Sequence, residues 1–267
     1  MNIALCIKQV PDTADIKWTE NNTIQREGVE SIINPFDAYA IETAVRLKER
    51  IKDTHVTVLT MGPPQAEEIL KQAISMGVDE GFLVSDRKFA GADTIATSRT
   101  LAGAIKEKVK DVDLIICGQF ATDGDTAQTG PSIAQHLNWP QVTYVKDILG
   151  YKKEENGGTL TVKREVEDGI ETVAIKLPAV LCMLKCDYEP RRPLISGFIS
   201  AHNSEVKSYS MEDIKLSAEE VGMKGSPTYV SKAFRPEQKH GGEVVTPASA
   251  KEGAALLKEK LKEFDII

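Results

Sequence analysis

A loop of small and polar residues between positions 118 and 131 has the composition of a phosphate-binding site. It follows the apolar run at positions 114–116, which is typical of a central strand covered on both faces. Thr129 and Pro131 predict a helix start, because a proline at the first helical position lacks only an N–H that would be unpaired anyway. Gly124 lets the backbone approach a ligand closely, and the free amides of a new helix attract phosphate. The chemistry predicted here is nucleotide binding.

Two aspartates complicate this interpretation of the loop. Asp123 and Asp125 lie within it, and no Lys or Arg lies between positions 118 and 141, so a neutralising cation must come from elsewhere in the chain. We expect the aspartates to hold the loop through backbone hydrogen bonds, or to meet ribose hydroxyls, rather than to face phosphate. The alternative is a strand–loop–helix connection with Asx turns and no ligand, and the residues alone leave both open.

Composition and charge narrow the classes of protein. With 267 residues, 41% of them hydrophobic, the chain can fill one large core with an appendage. The net charge of -7 argues against nucleic acid as a partner, since phosphate backbones need clustered Lys and Arg. No apolar run approaches the roughly 20 residues of a membrane span. A strand follows Met1 directly, so we expect no leader segment and a cytoplasmic protein.

The four cysteines, Cys6, Cys117, Cys182 and Cys186, lie mostly in apolar, strand-like runs. This placement predicts buried free thiols in a reducing compartment. Cys182 and Cys186 do not have the two-residue gap of common zinc or iron–sulfur sites, and no second pair accompanies them. We therefore expect no metal site.

Catalytic motifs are absent from the sequence. It contains no G-x-S-x-G elbow, no H-E-x-x-H, no lysine-containing phosphate loop and no G-x-G-x-x-G fingerprint, and its four histidines are scattered. We predict no catalytic residue. If the protein takes part in a reaction, a bound cofactor must supply the chemistry.

Hydrophobic periodicity predicts alternating strands and helices up to about residue 140. The predicted strands are 3–7, 55–59, 81–84 and 114–116, and the predicted helices are 35–50, 66–76, 93–109 and one that begins at 129. Such repetition needs right-handed crossovers, so we predict an α/β fold with a doubly wound, mostly parallel sheet. Ligands of these sheets bind beyond the carboxyl ends of the strands, which here means the loops 8–11, 61–64, 85–93 and 118–130.

The pattern changes after Pro140. Three antiparallel strands are predicted as an extension of the sheet, with turns between them at 156–158 and 167–169. Their positions are 142–149, 159–166 and 170–175.

The last third of the chain is predicted to be an arm. From 187 to about 243 prolines interrupt any long element while apolar residues remain, which favours an arm wrapped over another chain over a free linker. A final helix at 248–264 either packs on its own domain or docks on a partner. We therefore divide the chain into a nucleotide- or flavin-binding domain at 1–186 and a partner-embracing arm at 187–267.

Four ordered motifs carry a resemblance to a known family. They are Asn-Pro-Phe-Asp at 34–37, Met-Gly-Pro at 61–63 with the helix end at 73–77, the loop from 114 that continues to 141, and Val-Lys-Arg-Glu-Val-Glu-Asp-Gly-Ile-Glu at 162–171 with Leu-Pro-Ala-Val at 177–180. Over essentially its whole length the chain resembles the beta subunit of electron transfer flavoproteins.

The resemblance implies a fold of the adenine-nucleotide-binding type and a partner, the alpha subunit, which carries its own FAD. It also implies a site on the beta subunit that holds either a structural AMP or a second FAD. The positions that match this site are Cys6, Asn34, Pro35, Phe36, Asp37, Met61, Asp123, Gly124, Asp125, Thr126, Ala127, Gln128, Thr129, Gly130, Pro131 and Ala134.

The loop sequence Asp-Gly-Asp-Thr-Ala-Gln at 123–128 resembles the electron-bifurcating branch of that family. AMP-binding relatives carry bulkier residues where Gly124 and Ala127 stand, although Thr129 resembles the AMP type. The resemblance thus implies FAD reduced by NADH, with one electron passed to ferredoxin or flavodoxin. The other passes through the alpha-subunit FAD to an acyl-CoA dehydrogenase type partner.

Two other functions stay open. In the first, the chain is a scaffold that holds AMP only, and all redox chemistry belongs to the alpha subunit. In the second, it is an ATP-hydrolysing or adenylating enzyme on a similar fold, although it lacks any P-loop or serine–glycine pyrophosphate motif.

Two further segments are candidate binding elements. The segment at 89–94, with Thr94, either lines the isoalloxazine end of a flavin or is an ordinary helix cap. The resemblance also places a loop that recognises the dehydrogenase at 189–195. Its candidate contacts are Glu189, Arg191, Arg192 and Ile195, with Ile195 as an aliphatic anchor that alternatively packs within the arm.

Overall fold

A nine-stranded sheet forms the centre of the first of two compact units, Met1–Lys232 and Ala233–Ile267. The computed structural model describes residues 1–12, 31–154, 157–231, 241–242 and 244–267. The strands are β1 (Asn2–Cys6), β2 (Gln9–Pro11), β3 (Ser31–Ile33), β4 (His55–Met61), β5 (Glu80–Val84), β6 (Leu114–Gly118), β7 (Gln141–Glu154), β8 (Gly157–Val166), β9 (Gly169–Lys176), β10 (Ala179–Met183) and β11 (Lys207–Tyr209). The helices are α1 (Pro35–Arg50), α2 (Glu67–Ser75), α3 (Thr94–Lys108), α4 (Thr129–Leu137), α5 (Ile195–Asn203) and α6 (Ala250–Glu263).

The strands of the large sheet lie in the order β11-β5-β4-β1-β6-β10-β7-β8-β9. Neighbours from β11 to β7 are parallel, whereas β8 and β9 extend the sheet with antiparallel pairs. Strands β2 and β3 form a separate antiparallel pair. The predicted fold class, an α/β doubly wound and mostly parallel sheet with an antiparallel extension, is confirmed.

Helices cover both faces of the parallel part of the sheet. Helices α1 and α2 pack on the face that carries Ile3 and Leu5 of β1, and α3 and α4 pack on the face that carries Ala4 and Cys6. Because successive side chains of a strand point to opposite faces, a strand buried on both sides needs a continuous apolar run. The β1 sequence meets this requirement, as does the run at 114–117 in β6.

The connections reverse direction between β1 and β6. The chain that leaves β1 passes through α1 to β4 on one side, and the chain that leaves β6 passes through α4 to β7 on the other side. At such a reversal the loops diverge and open a crevice at the carboxyl ends of the two strands. The loop that follows Gly118 and the backbone that follows Cys6 border this crevice.

Several predicted elements agree closely with the structure. Helix α1 has the predicted bounds, and the turn predicted at 167–169 connects β8 to β9. The turn predicted at 156–158 includes Asn156, which lies outside the described residues. Parts of the predicted arm, at 232–240 and 243, also lie outside them. None of the helices in the described ranges is long and apolar enough to cross a bilayer.

The segment after residue 187 is more regular than its sequence pattern suggests. Helix α5 begins two residues after Pro193, and β11 adds a parallel strand at the edge next to β5. Both elements are short enough to lie between the prolines that interrupt longer ones. Gly197 brings α5 against the end of α2, since a Cβ at this position would overlap the carbonyl oxygen of Ser75.

Candidate functional site

Residues at the beginning of α1 make hydrogen bonds and a ring contact to the loop that follows β6. The side chain of Asn34 donates from Nδ2 to the carbonyl of Phe120 at 2.9 Å, and its Oδ1 accepts from the amide of Thr122 at 3.1 Å. The rings of Phe36 and Phe120 lie 4.2 Å apart, centroid to centroid. Asn34 is buried. These contacts fix the first half of the loop before any ligand is considered.

Asp37 connects the ends of β1 and β6. Its carboxylate accepts from the amide of Lys8 at 2.7 Å and from the amide of Gly118 at 3.0 Å. A Cβ on Gly118 would overlap Asp37 Oδ1, so this position requires glycine. Burial raises the pKa of Asp37 to about 7, opposed by the hydrogen bonds from the two amides and by the Lys8 charge. Asp37 therefore positions the two backbones that border the crevice.

The second half of the loop presents backbone amides for which the described residues supply no hydrogen-bond acceptor. Asp125 and Ala127 adopt positive φ angles of 47° and 54°, a backbone conformation that is found in anion-binding turns. Among the described residues, the structure records no hydrogen bond donated by the five amides from position 126 to position 130. The last two belong to the first turn of α4, where helix geometry leaves amides unpaired. This set of donors fits the phosphate groups of AMP or FAD.

The cation that the loop itself lacks comes from the end of β1. Lys8 Nζ lies 2.6 Å from Oδ1 and 2.7 Å from Oδ2 of Asp123. Lys8 was not among the predicted site residues. Its position at the carboxyl end of β1, in one of the four loops that the sheet topology selects, is the signal that could have identified it. For Asp125 the structure records no ion pair with a described residue.

Three cysteines lie side by side under the start of α4. Cys6 and Cys182 are the neighbours of Cys117 in the strand register. A Cβ on Gly130 would overlap Cys182 Sγ, so the glycine lets the helix start approach the sheet. Burial raises the pKa of Cys182 to about 12, and the neighbouring Cys6 thiol, together with burial, raises that of Cys117. Together with Cys186, these are buried free thiols, as predicted.

The remaining predicted residues occupy different depths around the crevice. Pro35, Asp125, Thr126 and Gln128 are exposed, whereas Ala134 is buried inside α4. Met61 ends β4 on the other side of β1 and is half-buried. Within the described part of the chain, no three His, Cys, Asp or Glu side chains are grouped as a metal site.

The start of α3 meets the loop through Thr94. Its hydroxyl donates to Gln128 Oε1 at 2.9 Å. The neighbouring Asp93 caps the helix, since its Oδ1 accepts from the amides of Ile95 and Ala96 at 2.9 and 3.0 Å. Asp93 therefore acts as the helix cap, which is one of the two roles expected for this segment. Thr94 is the residue that contacts the candidate site.

The predicted recognition loop is tied to α1. Arg191 forms ion pairs with two glutamates of that helix: its Nε lies 2.7 Å from a carboxylate oxygen of Glu42, and its Nη1 lies 2.5 Å from one of Glu49. The two carboxylates raise the pKa of Arg191, and the hydrogen bond from Arg191 lowers the pKa of Glu49. Glu189 accepts from the hydroxyl of Tyr39 at 3.3 Å. Two of the four predicted contacts thus position the loop.

The other two predicted contacts face outward. Ile195, the first residue of α5, is 81% exposed, and the structure does not pack it against other described residues. Leu194, Phe198 and Ile199 are also more than half exposed and form an apolar stripe with it. Arg192 is exposed and borders a groove of about 540 Å³ beside α5. The apolar stripe has the character of a docking surface.

Comparisons with known proteins identify the family of this chain. Residues 21–214 match the model of the electron transfer flavoprotein domain. The chain is 47% identical, over the whole of both chains, to the caffeyl-CoA reductase-Etf complex subunit CarD of Acetobacterium woodii. It is 47% identical to the electron transfer flavoprotein subunit beta of Clostridium acetobutylicum, over 98% of each chain, and 39% identical to the acryloyl-CoA reductase electron transfer subunit gamma of Anaerotignum propionicum, over 100% of each. The chain belongs to the electron transfer flavoprotein family, as a beta subunit that takes part in electron transfer.

Proposed function

We propose that this beta subunit holds FAD in the crevice between β1 and β6 and that NADH is the electron donor. The two electrons then go to different acceptors. One reaches ferredoxin or flavodoxin, and the other passes through the FAD of the alpha subunit to an acyl-CoA dehydrogenase type partner. The likeness to subunits named for caffeyl-CoA and acryloyl-CoA reductases supports an acceptor of this class.

The observation that carries the proposal is the run of five amides at 126–130 that make no hydrogen bond to a described residue, together with the open space at Gly124. A Cβ on Gly124 would have no atom within 4 Å, so the loop leaves space where a bulkier residue would intrude. Amides at a helix start bind phosphate oxygens without adding charge. A pyrophosphate needs more donors than a single phosphate, and the amides from 126 to 130 supply them.

The described residues prepare the site rather than perform chemistry. A bound flavin takes up two electrons from a nicotinamide and releases them one at a time, which is chemistry that belongs to the cofactor. Asn34 and Asp37 hold the backbones around it, and Thr94 ties α3 to the loop through Gln128. Phe36 packs against Phe120, with their ring planes inclined at 46°. These contacts fix the loop in the shape that presents its amides.

A structural AMP is the second candidate, and Thr129, which resembles the AMP type, favours it. Asp123 and Asp125 place two carboxylates in the loop, and the structure pairs only the first of them with a described cation. These carboxylates do not separate the two ligands, because the phosphate monoester of AMP and the pyrophosphate of FAD each carry about two negative charges at neutral pH. With AMP in the site, the alpha subunit performs all of the redox chemistry.

We also propose that the apolar stripe of α5 docks the dehydrogenase-type partner, with Ile195 as the anchor. Its exposure of 81% and its position beside Arg192 support this role, since apolar anchors and arginines dominate interface energies.

The four free cysteines support a location in the reducing cytoplasm.

A cofactor count on the heterodimer tests the first proposal. Denaturing the purified alpha–beta complex should release two FAD and no AMP, and NADH should bleach both flavins. One FAD together with one AMP would instead establish the scaffold function.

Two substitutions at one position separate size from charge. Gly124→Asn adds bulk and Gly124→Asp adds bulk and charge, and both should displace FAD from this subunit if open space at Gly124 is what admits the ligand. Gly150→Asp is the matched control. A Cβ on Gly150 would also have no atom within 4 Å, but Gly150 lies on β7, away from the crevice. Unchanged flavin content in both Gly124 variants would overturn the assignment of the loop.

A further inference from the structure

We infer that Lys8 binds the phosphate of the nucleotide and that its ammonium bridges this phosphate and Asp123. The inference rests on the proposed function, because it needs an adenine nucleotide in the crevice. It assigns a role to a residue that neither the motifs nor the family resemblance selects. Four features of the structure carry it: the fixed backbone of Lys8, the charge of the loop, the donor capacity of the ammonium and the exposure of the pair.

The backbone of Lys8 is held on both sides by the start of α1. Its amide donates to Asp37 Oδ2 at 2.7 Å, and its carbonyl accepts from the amide of Asn34 at 3.0 Å. The residue therefore leaves β1 at a defined place on the edge of the crevice. Only the side chain is free to adjust to a ligand.

The charge balance of the loop requires a cation. Between positions 118 and 141 the chain contributes Asp123 and Asp125 and no Lys or Arg. In the described part of the chain, Lys8 makes the ion pair that the structure records for these two carboxylates. Without it a phosphate would approach two negative charges across a short distance, a repulsion that five neutral amides must overcome alone.

The ammonium can serve two anions at once. It has three N–H donors, and it contacts both oxygens of Asp123. The side chain of Lys8 is 49% exposed whereas that of Asp123 is 14% exposed, so the open side of the pair is the cationic one. Leaving Asp123 entirely would strand a mostly buried carboxylate, which is unfavourable. A bridging position avoids this loss.

The test uses AMP and adenosine as probes, since AMP is a part of both proposed cofactors. Binding is measured by equilibrium dialysis on the full chain in complex with its alpha subunit, after bound nucleotide has been removed from this site. Lys8→Gln should weaken AMP binding about 10- to 100-fold, the range expected for the loss of one charged hydrogen bond. Adenosine, which has no phosphate, should bind both proteins equally. The AMP affinity of the variant should also depend less on ionic strength.

Lys48→Gln is the matched control. Lys48 also forms an ion pair with an aspartate, Asp79, at 2.5 Å. This pair lies at the amino end of β5, whereas Lys8 lies at the carboxyl end of β1. The two variants have the same net charge. If Lys48→Gln weakens AMP binding as much as Lys8→Gln does, the effect is one of overall charge, and the role of Lys8 is overturned.

A double variant distinguishes phosphate binding from neutralisation of Asp123. If Lys8 binds phosphate, Lys8→Gln with Asp123→Asn stays weaker for AMP than Asp123→Asn alone. If Lys8 only neutralises Asp123, the double variant regains the wild-type affinity, and the inference is wrong. A wild-type complex that binds neither AMP nor FAD at this site overturns the proposed function as well. Wild-type binding with no loss in Lys8→Gln overturns the role of Lys8 alone.

Discussion

Replacing Asp37 by Asn should remove a pH dependence from the stability of this protein. Asp37 has an ordinary pKa of 3.8 and a pKa of about 7 in the folded chain, because burial disfavours its charged form. Between these values the folded protein holds a proton that the unfolded chain has released. The carboxyl group therefore stabilises the fold fully below its unfolded pKa, and this contribution is lost as the pH rises through about 7.

The size of the effect follows from the shift. Each pKa unit corresponds to about 1.4 kcal/mol, so a shift of about three units is worth about 4 kcal/mol in total. Roughly 2 kcal/mol of it falls between about pH 5 and pH 7. Asn does not titrate, so the difference in free energy of unfolding between wild type and Asp37→Asn should fall by this amount over that range. A constant offset of about 1–2 kcal/mol is also expected, because the amide nitrogen of Asn cannot accept from one of the two backbone amides.

Urea denaturation of both proteins at a series of pH values measures this difference. Asp213→Asn provides a contrast, since hydrogen bonds from Ser210 lower the pKa of Asp213 and its contribution is lost only as the pH falls into the acid range. Parallel curves for wild type and Asp37→Asn between about pH 5 and pH 7 would refute the reasoning. They would show that the amides of Lys8 and Gly118 outweigh burial and keep Asp37 ionised.

Three other substitutions test the contacts described above. Gly130→Ala should lower the free energy of unfolding by about 1–3 kcal/mol, because the added Cβ overlaps Cys182 Sγ. Adding Cys182→Ala should restore most of the lost free energy. If the double variant recovers nothing, the overlap is not the cause. Arg191→Lys should lower the free energy of unfolding by about 1–2 kcal/mol, because Lys lacks the planar guanidinium that contacts both carboxylates and the Arg191 side chain is only 31% exposed. An unchanged midpoint in chemical denaturation would contradict this. Ile195→Ala should slow reduction of the partner dehydrogenase while stability changes by less than about 0.5 kcal/mol. Ile170→Ala, at a side chain that is 52% exposed on β9, should do neither, and equal rates in both variants would remove Ile195 from the interface.

Local patterns predict the parallel part of the fold because each signal lies within one element. Helix α1 begins at Pro35, after Asn34, and its apolar residues recur at helical spacing, so its bounds can be predicted without knowledge of its neighbours. The β6 strand and the start of α4 are predicted for the same reason. By contrast, β11 has only three residues, and its pairing with β5 is a long-range contact that no local pattern contains.

The site shows the same division between local and distant information. The loop at 118–131 is identified by its own glycines and by the proline that follows. The contact between Lys8 and Asp123 joins residues 115 positions apart, and the contact between Asp37 and Gly118 joins residues 81 positions apart. The family resemblance implies that Asp37 belongs to the site, but only the packed structure shows that its carboxylate accepts from two backbone amides. Sequence therefore names candidate members of the site, whereas their contacts have to be read from the structure.

Charge and space around the loop act on different properties of the ligand. In the proposed function, the amides from 126 to 130 and the ammonium of Lys8 would attract any phosphate, so they would set how tightly an adenine nucleotide is held without selecting between AMP and FAD. Selection depends on what lies beyond the phosphate, and there the open space at Gly124 is the feature that a side chain would change. A variant that weakens AMP and FAD equally therefore acts through charge. A variant that weakens FAD alone acts through space, and only the second kind bears on the choice between electron bifurcation and a structural nucleotide.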